Sequence, residues 1–76
     1  MSKLLNLLGN AIRSQREHLG LSQENLAERC GFDRTYISML ERGKRNPSLL
    51  NLLKLAKGLE TSVSKLTEVL NGSSTD

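Results

Sequence analysis

Between Gln23 and Arg42 the chain holds two short amphipathic segments parted by about three residues, Gly31, Phe32 and Asp33, and this spacing constrains the fold more than any other feature. Short helices joined by so brief a connector lie near perpendicular to one another. Such a junction makes specific demands. Where the two axes cross closely the side chain must be small, and Ala27 meets that. The turn needs a residue at ease with positive φ, and Gly31 meets that. Leu26, Cys30, Phe32, Ile37 and Leu40 stand at the offsets that seal the angle from inside. A tight helical hairpin with no further role would share some of these features, but all seven positions agree, and they predict a helix-turn-helix.

The flanking sequence supplies the rest of an all-α, five-helix domain. Sixteen leucines against two aromatic residues, Phe32 and Tyr36, favour helix over sheet. A first helix is expected from about Lys3 to His18, with Leu5, Leu8, Ile12 and Leu19 at helical spacing and Gly20 as its stop. Ser22 caps the second, through about Arg29, and Asp33 caps the third, through about Arg42, which Gly43 closes. Asn25 stands where a glutamate would complete a capping box, so none is expected on the second helix. Pro47 and Ser48 open a fourth helix through about Lys57. Thr61 and Ser62 cap a fifth, with Val63, Leu66, Val69 and Leu70 on one face. Residues 1–70 are read as one domain and 71–76, Asn-Gly-Ser-Ser-Thr-Asp, as a flexible tail.

Composition excludes several functions. One cysteine cannot close an internal disulfide, and no ligand cluster points to a metal. One histidine, one cysteine and no convergent acid pair give catalysis nothing to work with, so neither an enzyme nor a cofactor is expected. The apolar patch near the amino terminus is too short for a bilayer, which leaves the cytoplasm and no membrane partner. The net charge of +3 suits a polyanion. RNA is disfavoured for want of an aromatic stacking platform.

The stretches LGLSQENLAERCG, RTYISMLERGKRNPS and LLNLLKLAKGL resemble the phage-repressor-like, or xenobiotic-response-element, family of lambda-repressor-like DNA-binding domains. Within it, RTYIS followed by ERGKRN and SLLNLLKLAKGL is most similar to the controller proteins of restriction–modification systems. The resemblance implies a transcriptional regulator that binds double-stranded DNA sequence-specifically, as a homodimer, on a pseudo-palindromic operator near its own gene, with RNA polymerase as a further partner. Prophage or plasmid repressors, antitoxin-type regulators and helical adaptors are the alternatives. It also implies that Arg16 and Glu41 form an internal ion pair, and Lys65 departs from the family pattern.

On the third helix the residues not needed inside are Arg34, Thr35, Tyr36, Ser38 and Met39, the candidates for base contacts. Tyr36 has two readings, a half-buried ring beside the turn or a DNA contact. Gln23, Arg42, Lys44, Arg45, Asn46 and Ser48 are the candidates for phosphate contacts. Along the fourth helix Leu49, Leu52, Leu53, Leu55, Ala56 and Leu59 share one broad arc, with Leu50 outside it. Surplus apolar surface there points to a dimer interface of Leu50, Leu53, Val63, Leu66, Val69 and Leu70. Cys30 is read as core and His18 as solvated.

Overall fold

A computed structural model describes residues 2–72. They form five α-helices and no strand: α1 Lys3–His18, α2 Gln23–Cys30, α3 Arg34–Glu41, α4 Leu49–Gly58 and α5 Val63–Thr67, followed by a 3-10 turn Glu68–Leu70. Each α-helix starts where a small oxygen-bearing side chain can accept from an otherwise orphaned N–H. Ser2 accepts from Leu5, Ser22 from Asn25, Asp33 from Tyr36, Ser48 from Asn51 and Ser62 from Lys65, at 2.9–3.4 Å. Each such cap stabilises its helix by about 1 kcal/mol.

Two sequence expectations fail at helix ends. α2 does carry a reciprocal capping box, because the Asn25 side-chain carbonyl accepts from the Ser22 N–H at 3.2 Å, doing what a glutamate carboxylate would do. The fifth helix stops at Thr67 instead of running to Leu70. There the Thr67 hydroxyl donates to the Val63 carbonyl at 2.7 Å, a back-bond that loosens the helical ladder, and the chain tightens into the 3-10 turn. The expected tail lies, from residue 73 onward, outside the described residues.

One core joins all five helices. Ile12, Leu26, Ile37, Leu55 and Leu59 are wholly buried, with Leu8, Ala27, Cys30, Leu40 and Leu66 around them. Each large aliphatic side chain so buried contributes about 1.5–3 kcal/mol. α1 packs on α3, α5 and the 3-10 turn, while α4 closes over α2 and α5. The α1–α3 contact depends on Gly9, where an added Cβ would stand 2.5 Å from the Leu40 carbonyl oxygen and 2.6 Å from that of Glu41. The crossing is therefore backbone against backbone, and it fixes the tilt of α3.

The leucine arc on α4 divides. Leu55, Ala56 and Leu59 are buried and Leu52 is half-buried, but Leu49 and Leu53 are exposed at 68% and 53%. The first turn of α4 meets the body through Asn51 and Leu52, while Leu49 and Leu50, with Leu53 one turn on, carry apolar side chains into solvent. Leu66 is a correction to the expected dimer set: at 3% exposed it belongs to the protomer's own core and has no surface left to offer a partner. Among the described residues no helix is long and apolar enough to cross a membrane.

Candidate nucleic-acid interface

The junction between α2 and α3 is built by three local devices. Gly31 takes φ 77°, a left-handed conformation that a side chain would strain. The Phe32 N–H then reaches the Ala27 carbonyl at 2.9 Å and the Gly31 N–H that of Glu28 at 3.4 Å, closing α2 with a Schellman turn. Asp33 immediately caps α3. With Ile37, Leu40 and Glu41 turned inward, α3 leaves Arg34 and Thr35 exposed and Ser38 and Met39 half-buried. Arg34 makes no ion pair with Asp33 or Glu28.

Glu41 would be an acid beside a polyanion, and the fold removes it from that face. Its carboxylate is buried and surrounded by donors: Arg16 Nε at 2.6 Å and a second Arg16 nitrogen at 3.0 Å, Gln23 Nε2 at 3.1 Å and Arg13 Nε at 3.4 Å. Arg16 also donates to the Leu21 carbonyl at 2.8 Å, so one guanidinium ties α1, the α1–α2 connector and α3 together. Burial alone would push the Glu41 carboxyl up. The hydrogen bonds from Arg16, Gln23 and Arg13, with the Arg16 charge, outweigh it and hold the group below the usual carboxylate range. The resemblance implied the Arg16 partner; Arg13 and the Gln23 amide were missed. Gln23, a phosphate candidate, is thus half-buried with its amide nitrogen on Glu41.

Beside α3, the Tyr36 ring is gripped on three sides. Phe32 meets it edge-on, centroids 4.9 Å apart at 72°. The Arg45 guanidinium stands over its face, 4.9 Å from the centroid. Asn51 Nδ2, from the first turn of α4, donates to the phenol oxygen at 3.0 Å. Both readings of Tyr36 are therefore partly met: the ring is half-buried, yet it lines an open groove of about 650 Å³ with Thr35, Met39 and Asn51. Asn51 was not a candidate from sequence. The available signal was its place three residues after the Ser48 cap, which puts it in the first turn of a helix next to the basic loop.

The loop after α3 holds three further cations. Arg42, Lys44, Arg45 and Asn46 are exposed, with Arg42 Nε donating to the Ser38 carbonyl at 3.3 Å and Arg45 on Tyr36. Ser48 is exposed but its oxygen serves as the α4 cap. Leu49, Leu50, Leu53 and Val69 are exposed, whereas Val63 and Leu70 are half-buried. Cys30 is buried, and that burial, only partly opposed by the Arg29 charge, raises its thiol pKa; it packs as a core residue. His18 is exposed.

The profile of the helix-turn-helix family matches residues 12–73. The control protein C.SmaI of Serratia marcescens is 52% identical over 60 residues, covering 79% of this chain and 71% of that protein. The crystal structure of the restriction–modification controller protein C.AhdI from Aeromonas hydrophila superposes with a TM-score of 0.80 at 47% identity, covering 82% of this chain and 94% of that one. A second controller, C.Esp1396I, solved as a tetramer in complex with its natural 35 base-pair operator, superposes with a TM-score of 0.82 at 38% identity, covering 92% of this chain and 93% of that one.

Proposed function

The chain belongs to the helix-turn-helix family, and from that premise we propose that it is a sequence-specific, double-stranded-DNA-binding transcriptional regulator of the restriction–modification controller type. One observation carries the proposal. From Arg34 to Asn46 every cation lies on the outer surface while Glu41, the only acid, is turned inward and neutralised. The exposed charge from Arg34 to Asn46 is thus all positive. In this reading Arg34 offers two parallel hydrogen bonds to O6 and N7 of guanine, and Thr35, Ser38, Met39 and Tyr36 meet neighbouring base edges. Arg42, Lys44, Arg45 and Asn46 hold phosphates, which set register without reading sequence.

The exposed Leu49, Leu50 and Leu53, with Val69, form the surface through which two copies pair. A two-fold axis there sets two recognition helices about 34–36 Å apart, on successive major-groove faces, so the operator is pseudo-palindromic. In this reading the protein acts in the cytoplasm, as a regulator and not an enzyme, with RNA polymerase as a further partner. The test is selection from a randomised duplex pool. A two-fold-symmetric consensus supports the reading, and a protein that enriches nothing at low ionic strength refutes it.

A further inference from the structure

Asn51 is the side chain at the α3 face that neither charge nor helical spacing singles out, yet it touches the one phenol there. Its own position is rigid. It sits in the first turn of α4, and its backbone N–H is held by Ser48 Oγ at 3.1 Å. The Tyr36 ring is held in turn by a T-shaped contact with Phe32 and by Arg45 over its face. Between these two fixed groups runs a hydrogen bond of defined sense, the Asn51 amide nitrogen donating and the phenol oxygen accepting, at 3.0 Å. A phenol oxygen carries one hydrogen. With an acceptor site occupied from the α4 side, that hydrogen is directed away from Asn51, into the open groove shared with Thr35 and Met39.

We propose that Asn51 is a positioning residue that presents Tyr36 to the duplex as a hydrogen-bond donor, and so sets which base edge Tyr36 selects. The inference rests on the DNA-binding reading above and adds to it a residue and a chemical preference. Acceptors on the major-groove edge are N7 and O6 of guanine, N7 of adenine and O4 of thymine, whereas the N4 amino group of cytosine is a donor. A donor phenol favours the first set and disfavours a cytosine edge. One neutral hydrogen bond of this kind changes affinity about two- to tenfold.

Reversal of the hydrogen-bond sense is the decisive test. In Asn51→Asp the carboxylate accepts the phenol hydrogen and leaves the oxygen facing outward as an acceptor. The variant is expected to fold, because an acid in the first turn of a helix suits the helix dipole. Selection from a randomised duplex pool by the full chain is expected to show, for Asn51→Asp, a preference moved toward amino-bearing edges at one position per half-site. The added negative charge weakens all sequences alike and cannot by itself produce such a shift. Tyr36→Phe is expected to lose preference at that same position, with no further change in the double variant. A second readout uses the free protein: Tyr36 is the only tyrosine, so the intensity ratio of its Raman ring doublet reports whether the phenol oxygen accepts or donates. It is expected to move toward the donor signature in Asn51→Asp and away from the accepting signature in Asn51→Leu. A wild type that enriches a consensus while Asn51→Asp enriches the same one, or a Raman ratio unchanged across the three proteins, overturns the role of Asn51 alone. A wild type that enriches nothing overturns the DNA-binding reading, and this inference with it.

Discussion

Replacing Glu41 tests the structural basis of the interface most directly. In Glu41→Ala the Arg16 guanidinium, whose side chain is 12% exposed, loses both its hydrogen bonds to the carboxylate and keeps only the Leu21 carbonyl. Gln23 and Arg13 lose the same partner. Removing one member of a buried pair costs about 3–5 kcal/mol, since the remaining charge stays uncompensated. A domain of 76 residues has roughly 4–11 kcal/mol of stability in all. The substitution is therefore expected to remove between about a third of the stability and all of it, or about 12–24 °C of Tm if the loss is 3 kcal/mol. Glu41→Gln keeps the shape and part of the hydrogen bonding and is expected to cost about 1.5–3 kcal/mol, as for a hydrogen bond to a charged group. The pH dependence adds a signed check. The Glu41 pKa is lowered in the folded state, so its contribution is present above the unfolded carboxylate value near ~4.3 and is lost as pH falls through the folded value. Wild type should lose stability relative to Glu41→Gln on acidification below about pH 4.3. Urea unfolding followed by circular dichroism, at pH 7 and at pH 3, measures both effects. A Glu41→Ala protein within 0.5 kcal/mol of wild type at pH 7, or a wild-type-to-Gln difference that does not narrow in acid, would refute the reasoning.

Gly9→Ala is expected to cost about 1–3 kcal/mol by prying α1 from the end of α3, read as a lower urea midpoint. Arg34→Ala should relax preference at one base pair per half-site by about 1–3 kcal/mol in competition binding. Lys44→Ala should instead weaken all duplexes alike and reduce the salt slope by about one unit; equal losses across every sequence for both variants would undo this division of roles. Leu50→Asp with Leu53→Asp should leave the monomer fold intact, both side chains being exposed, but abolish pairing in sedimentation equilibrium.

Much of the fold was legible in the sequence because the signals are local. Ser22, Asp33, Ser48 and Ser62 each mark a helix start through a bond to a group three residues away, and Gly31 marks the turn through its own φ. The outer face of α3 followed from spacing alone. Asn25 was misjudged because the pattern for a capping box weighs residue identity, whereas the bond needs only an oxygen in reach.

What the sequence by itself determined is the set of helices, the residues that cap α2 to α5 and the turn that sets α3 against α2, since each depends on contacts within a few residues. Only the tertiary structure decided which leucines remain outside: Leu66 went into the core while Leu49 and Leu53 were left in solvent, because the packing angle of α4 and α5 is a property of all five helices together. It likewise decided that Gly9 abuts α3, that Arg13 and Gln23 join Arg16 on Glu41, and that Asn51 meets Tyr36. These pairs are 15–32 residues apart, and no periodicity along the chain records which distant surfaces will face one another.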